Sequence, residues 1–137
     1  MPRKFDRVII DTNIWISFLL TKGNSNLDKL LFNDSIRLLW STELMEEFIE
    51  VSGRPKFRKY FIPEDLLQIL NYIEKNTEMI NVVSVVHECR DEKDNFLLSL
   101  AKDGKADFLI SGDLDLISLK KFEKTEILTI ADFVKRI

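Results

Sequence analysis

Short apolar runs rich in β-branched residues alternate along this chain with longer stretches in which apolar residues recur at helical spacing. The short runs predict five strands, over residues 7–10, 36–40, 80–86, 107–110 and 126–128. The longer stretches predict a long helix from Pro63, a short one after Asp113, and helices over residues 14–20, 27–32, 42–51, 94–102 and 130–136. This alternation is typical of a three-layer α/β/α fold, in which helices cover both faces of a mostly parallel sheet.

Length and composition fit one globular domain. No linker or biased tract divides the 137 residues, so residues 1–137 are predicted to form a single unit. A net charge of -3 excludes an extended non-specific nucleic-acid binder but allows a local nucleic-acid site. One cysteine, Cys89, and one histidine, His87, exclude an internal disulfide and zinc sites built from several such ligands. The N-terminal apolar run is too short for a signal peptide or a membrane span, so we expect a cytoplasmic protein.

Acidic residues lie at or soon after the ends of four predicted strands. Ligands of open parallel sheets bind outside the carboxyl ends of the strands, so side chains from separate segments are expected to meet there. The four acids are Asp11, Glu47, Asp94 and Asp113. The same loops also carry Asp91, Asp115, Thr12, Asn13 and Ser111, together with the basic residues Arg90 and Lys93. The sequence therefore predicts an acidic site at one edge of the sheet.

The predicted acidic site needs a compensating positive charge. Carboxylates that lie ~4 Å apart repel by roughly 4 kcal/mol per pair at an effective dielectric constant of about 20. Oxygen ligands without His or Cys favour Mg²⁺ or Mn²⁺, as one or two ions, and bound magnesium commonly adds substrate phosphate to its ligands. A metal in such a site activates water and stabilises the leaving oxygen. The pattern thus indicates phosphodiester hydrolysis.

Four segments together resemble a PIN domain. They are Asp11-Thr12-Asn13 after a buried strand, Glu47 in the helix after the second strand, the run from Asp94 to Ala101, and Ser111-Gly112-Asp113-Leu114-Asp115. The likeness covers nearly the whole chain and is closest to the toxin components of toxin–antitoxin pairs, with which it shares the segments 54–57 and 89–91. The resemblance implies a five-stranded, mostly parallel sheet of strand order 3-2-1-4-5.

The resemblance also implies an activity, partners and site residues. PIN domains are mostly Mg²⁺- or Mn²⁺-dependent ribonucleases that leave 5′-phosphate ends, and the toxin branch implies an RNA substrate, a small antitoxin protein and a homodimer. The residues that match the family's acidic catalytic quartet are Asp11, Glu47, Asp94 and Asp113, with Glu46 as the alternative to Glu47. The residues assigned to metal binding are Asp11, Asp94, Asp113 and Asp115. The residues assigned a supporting role are Thr12, Asn13 and Ser111.

Other interpretations of these residues stay open. An Asp at the start of a helix also serves as an N-cap, so Asp94 has a purely structural interpretation. A phosphoacceptor receiver module shares the sheet and the acidic edge, but it requires an aspartate where the third strand here ends in Val86 and His87. A non-cleaving RNA-binding protein would keep the fold while Lys93 weakens the metal site. The basic and aromatic segment 54–61 suits single-stranded RNA, a packed connecting turn or a dimer contact.

Overall fold

The computed structural model describes residues 5–21, 35–60 and 63–136. The strands in these residues are β1 (Asp6–Ile10), β2 (Ile36–Trp40), β3 (Glu78–Met79), β4 (Phe108–Ile110), β5 (Lys121–Phe122) and β6 (Thr125–Leu128). They form one sheet of order β3-β2-β1-β4-β6-β5. Neighbouring strands are parallel except for the antiparallel hairpin of β5 and β6. The parallel strands reproduce the expected order, with β6 in the fifth position, and confirm the mostly parallel α/β fold.

Helices flank the sheet and connect its strands. They are α1 (Thr12–Thr21), α2 (Thr42–Ser52), α3 (Pro63–Asn76), α4 (Asn95–Gly104), α5 (Leu114–Ile117) and α6 (Ile130–Val134), with 3₁₀ turns at Pro55–Phe57 and Glu92–Asp94. Ser41 caps α2, because its hydroxyl accepts a hydrogen bond from the Leu44 amide at 3.1 Å. The predicted helix at 27–32 lies outside the described residues. Within the described ranges, no helix is long and apolar enough to cross a membrane.

The buried core lies between the sheet and its helices, because the central strands are apolar on both faces. The last three residues of β1 are each at most 2% exposed. At the end of β2, Trp40 contacts Trp15 of α1 and Phe48 of α2, with ring centroids 5.5 and 6.0 Å away. This aromatic contact fixes the first two helices at the carboxyl ends of the strands, where the acidic residues lie.

Backbone hydrogen bonds continue past the carboxyl ends of β1 and β4. The Asp11 amide donates to the Ile110 carbonyl at 2.9 Å, and the Ser111 amide donates to the Leu128 carbonyl at 3.0 Å. Asp11 and Ser111 are therefore held in place by neighbouring strands rather than by a loop alone. Both residues are buried. The sheet itself thus positions one side of the acidic site.

The predicted third strand at 80–86 is wrong. The strand at this place is β3, Glu78–Met79, and residues 80–86 form no strand. The amides of Val83 and Ser84 donate instead to Oδ2 of Asp103 on α4, at 2.6 and 2.7 Å. A helix side chain therefore takes hydrogen bonds that a neighbouring strand would otherwise take. The alternating valines of this segment led to the strand prediction. Some of their side chains lie mostly in solvent, since Val83 is 76% exposed.

Smaller differences concern the ends of elements. The sequence does not predict β5, because a strand of two residues is too short to show a period. Glu123, with a φ of 52°, turns the chain between β5 and β6. The helix predicted over 94–102 begins as a 3₁₀ turn, and the left-handed residue at its C-terminus is Lys105, with a φ of 52°.

Candidate metal centre

Asp11 is the buried carboxylate of the site. It directly follows β1, is 5% exposed, and its Oδ2 accepts a hydrogen bond from Ser111 Oγ at 2.8 Å. Burial raises the pKa of Asp11 to about 6, against the hydrogen bond from Ser111, and the charges of Glu47 and Asp113 add to the rise. Ionised Asp11 is therefore costly in the metal-free protein, and a nearby cation would relieve that cost.

Ser111 connects Asp11 to the loop after β4. Its hydroxyl donates to Asp11 and accepts a hydrogen bond from the Asp113 amide at 3.0 Å. Asp113 in turn caps α5, because its Oδ1 accepts from the Asp115 amide at 2.8 Å. One buried hydroxyl therefore fixes the relative positions of the acidic residues that follow β1 and β4. Ser111, predicted to have a supporting role, therefore lies between these two acidic residues.

A second acidic loop, residues 89–95, leads into α4. The Asn95 side chain closes it, since its Oδ1 accepts from the Cys89 amide at 2.8 Å and its Nδ2 donates to the Cys89 carbonyl at 3.4 Å. Within the loop, Oδ1 of Asp91 accepts from the Lys93 amide at 3.2 Å and so caps the 3₁₀ turn. The buried pair Cys89 and Asn95 thus holds the turn that carries Asp91 and Asp94.

Carboxylates from these two loops converge. One oxygen from each of Asp91, Asp94 and Asp113 lies within 4.8 Å of the other two, and all three residues are half-buried. The set, called here the carboxylate cluster, contains oxygen ligands only, which are the ligands that Mg²⁺ and Mn²⁺ prefer. The sequence alone places Asp91 only beside the site. The sequence feature that could have identified Asp91 is its position three residues before Asp94, which puts both residues on one short turn.

Asp94 is the member of the carboxylate cluster whose surroundings best fit a cation. Its Oδ2 is buried and has no hydrogen-bond partner among the described residues. Burial raises the pKa of Asp94 to about 7, and the carboxylates of Asp113, Asp11 and Asp91 add to the rise. A divalent ion bound to these oxygens would offset both the burial and the repulsion. The residues present therefore fit a Mg²⁺ or Mn²⁺ site.

Glu47 reaches the same site from α2. The hydroxyl of Thr12, a buried residue next to Asp11, donates to Glu47 Oε2 at 2.5 Å. The charge of Glu47 also contributes to the raised pKa of Asp11. The neighbouring Glu46 is exposed. Of the two glutamates that the sequence leaves open, Glu47 is the one that lies at the site.

Asp115 and Asn13 are two further predicted site residues, and neither belongs to the carboxylate cluster. Asp115 is half-buried, and its Oδ1 accepts hydrogen bonds from Nε and Nη2 of Arg90 at 3.1 and 2.7 Å. Asn13 is exposed, and its backbone amide hydrogen-bonds to the Asp11 carboxylate. Asp115 is thus engaged by a cation of the protein, and Asn13 contributes through its backbone.

The basic and aromatic segment after α2 is divided between core and solvent. Phe57 is half-buried and packs against the core, whereas Tyr60 is exposed. Each ring carries a lysine over its face, with Lys56 Nζ 5.0 Å from the Phe57 centroid and Lys59 Nζ 5.2 Å from the Tyr60 centroid. Phe61, the last aromatic of the predicted segment, lies outside the described residues. The segment therefore combines a packed connection with an exposed basic surface.

Similarity to known proteins identifies the family. Residues 7–115 match the family model described as the PIN domain, a range that runs from β1 to Asp115. The chain is also 35% identical over 121 residues to the uncharacterized protein MJ1680 of Methanocaldococcus jannaschii. The aligned region covers 86% of this chain and 77% of that protein. No solved structure shows a significant match. The matched range contains both acidic loops and the strand ends that carry them, and this chain belongs to the PIN domain family.

Proposed function

We propose that this protein is a metal-dependent endoribonuclease that hydrolyses RNA phosphodiester bonds. The observation that carries the proposal is the carboxylate cluster of Asp91, Asp94 and Asp113 beside the buried Asp11. Burial and mutual repulsion raise the pKa of Asp11 to about 6 and that of Asp94 to about 7. A nearby cation would offset the cost of ionising such carboxylates. Membership in the PIN domain family, a family of nucleases, supports the same chemistry.

The residues divide into metal ligands and positioning groups. In this scheme Asp11, Asp94 and Asp113 hold Mg²⁺ or Mn²⁺, and Asp91 offers a further oxygen. A divalent ion held by these residues would supply an activated water and stabilisation of the charge on the scissile phosphate. Ser111 orients Asp11 through its hydroxyl hydrogen bond. Glu47, held by Thr12, accepts the proton of the attacking water.

The cellular role that we propose is that of a toxin paired with a small antitoxin protein. The support for this role is the resemblance of segments 54–57 and 89–91 to the toxin branch of the family. The same resemblance supports a homodimer, and an RNA substrate supports action in the cytoplasm. Separate expression of the chain, alone and together with a protein encoded beside it, tests the pairing.

Purified protein with Mn²⁺ is expected to cut a labelled single-stranded RNA into fragments with 5′-phosphate ends, and EDTA is expected to stop the reaction. Calorimetric titration should show Mn²⁺ binding without RNA.

A non-cleaving RNA-binding protein is the second candidate, because Lys93 Nζ lies 3.8 Å from Asp91 and brings a positive charge to the cluster. Retention of RNA on a filter, with neither Mn²⁺ binding nor cleavage, would support that candidate and contradict the nuclease.

Glu47→Gln is expected to lower kcat roughly a hundredfold, because an amide still accepts the Thr12 hydrogen bond but cannot take a proton. Glu46→Gln is the matched control, since it makes the same change one residue earlier on an exposed side chain. We expect it to leave kcat within about twofold of the wild type. Steady-state kinetics measures both variants, with circular dichroism to verify folding. A loss of activity confined to Glu46→Gln, or equal in the two variants, would contradict the role of Glu47.

A further inference from the structure

Arg90 joins the two loops that form the carboxylate cluster. It directly precedes Asp91, and its guanidinium extends to the start of α5, just after the loop that follows β4, where Nε and Nη2 donate to Oδ1 of Asp115 at 3.1 and 2.7 Å. Asp115 is attached to the cluster in turn, because its amide donates to the carboxylate of Asp113. A positive charge is thus fixed beside the candidate metal centre.

The guanidinium of Arg90 is available to a further acceptor. The side chain is 83% exposed although it is ion-paired. A guanidinium has five N–H donors, and Asp115 takes two of them, which leaves three. Exposed ion pairs of this kind contribute little to folding stability. A contribution to folding stability therefore does not explain the ion pair between Arg90 and Asp115.

An RNA strand at this site needs more positive charge than a metal bound at its centre supplies. The site consists mostly of carboxylates on a chain of net charge -3, and RNA carries phosphates on both sides of the one that is cleaved. Arginine binds phosphate through a planar pair of donors whose orientation can be set in advance. Lys93, the other cation of these loops, lies 3.8 Å from Asp91, beyond hydrogen-bond distance, and is a flexible point charge. Arg90 is therefore the better phosphate ligand.

We propose that Arg90 binds a backbone phosphate of the RNA next to the one that is cleaved, and that Asp115 positions its guanidinium for this contact. The inference rests on the proposed ribonuclease function. It assigns Asp115 the role of positioning Arg90 instead of the metal binding expected from the sequence, since the Oδ1 atom of Asp115 accepts two hydrogen bonds from Arg90. Arg90 contacts the substrate, and Asp115 acts through Arg90.

Fluorescence anisotropy with a labelled single-stranded RNA and Mn²⁺ tests this contact, in an Asp11→Asn background that does not cut the probe. Arg90→Ala is expected to raise Kd about tenfold. It should also lower the slope of log Kd against log salt by about 0.7, the contribution of one phosphate contact on a single strand. Arg90→Lys should recover part of the affinity. Asp115→Asn should raise Kd by a smaller factor and add nothing to Arg90→Ala, because it acts through the same contact.

Arg136→Ala is the matched control. Arg136 also has an exposed ion pair, with Glu126 near the start of β6, so its loss removes the same charge away from the site. Its Kd and salt slope should equal those of the parent. Unchanged values in Arg90→Ala, absence of RNA binding in the parent, or weaker Mn²⁺ binding in Asp115→Asn would overturn the inference. Kinetics separates it from the nuclease proposal: if the wild type cleaves RNA and Arg90→Ala keeps the same KM, only the role of Arg90 fails.

Discussion

Replacing Asp94 with asparagine is expected to remove Mn²⁺ binding and to lower kcat for RNA cleavage by roughly a thousandfold. Asp94 supplies one oxygen to the carboxylate cluster, and its buried Oδ2 has no hydrogen-bond partner among the described residues. An amide of the same shape removes one negative charge and replaces an oxygen with a nitrogen that cannot bind the metal. Steady-state kinetics with Mn²⁺ and calorimetric titration measure the two losses.

The same substitution is expected to stabilise the metal-free protein. At pH 8 Asp94 is ionised, although burial and the neighbouring carboxylates raise its pKa to about 7. The amide lacks this unfavourable charge, so the free energy of unfolding in EDTA should rise, by roughly 2 kcal/mol once solvent screening of the half-buried group is included. Urea denaturation measures the difference. A variant that is less stable in EDTA, or that binds Mn²⁺ like the wild type, would contradict the assignment.

Asp132→Asn is the matched control for Asp94→Asn. Asp132 lies on α6 and is exposed, so the substitution removes an equal charge outside the carboxylate cluster. Both kcat and the stability in EDTA should stay close to the wild-type values, because exposed substitutions away from special features have small effects. A loss of activity together with a gain of stability in EDTA is thus expected for Asp94→Asn and not for Asp132→Asn.

The metal-free protein is expected to lose stability as pH rises from about 4 to about 7. The folded pKa values of Asp11 and Asp94, about 6 and about 7, lie above the ordinary value of 3.8. Between these limits the folded state holds protons that the unfolded state has released, so the free energy of unfolding falls with pH. For Asp11 alone, the loss is roughly 3 kcal/mol and is complete above its folded pKa. Urea denaturation in EDTA at pH 5 and pH 8 measures this loss.

Divalent metal is expected to reverse the loss. At pH 8, Mn²⁺ at 100 times its Kd should add about 2.7 kcal/mol to the free energy of unfolding. The gain should be smaller at pH 5, because protons compete with the metal for the same oxygens. Asp11→Asn should show a weaker pH dependence in EDTA. Higher stability at pH 8 than at pH 5 in EDTA, or a larger gain from metal at pH 5, would show that these carboxylates do not form the metal site.

Carboxyl groups elsewhere in the fold have the opposite pH dependence. Hydrogen bonds from Arg7, Ser84 and Arg136 lower the pKa values of their carboxyl partners, which are Glu78, Asp103 and Glu126. Their stabilisation is present above the ordinary carboxyl pKa and is lost as the pH falls below it. These three groups therefore contribute little to the difference in stability between pH 5 and pH 8.

The position of the acidic residues could be predicted because it depends on local sequence. An apolar run of strand length ends directly before Asp11, and another ends just before Ser111 and Asp113. A parallel sheet then brings these ends to one edge whatever lies between them. Strand order is different, since it depends on long-range packing, and here it came from the family resemblance rather than from periodicity.

Other features could not be predicted because they depend on contacts between distant side chains. Glu46 and Glu47 are adjacent on one helix, and only the position of Thr12 distinguishes them. The task of Asp115 depends on Arg90, which precedes it by 25 residues. In the same way, residues 80–86 have a strand-like composition, but side chains of α4 bond to their amides. A local sequence pattern does not show with which of two available partners a polar group forms a hydrogen bond.

The hydrogen bond between Ser111 and Asp11 joins residues that lie 100 positions apart. A ribosome releases Asp11 early and Ser111 late, because synthesis proceeds from the amino terminus. The growing polypeptide therefore cannot assemble the centre until β4 and the loop after it have emerged. An incomplete product that ends before β4 lacks Ser111 and Asp113, so it has neither the hydrogen bond to Asp11 nor the third carboxylate of the cluster. The proposed nuclease therefore cannot attack the messenger from which it is being translated until the loop after β4 has left the ribosome.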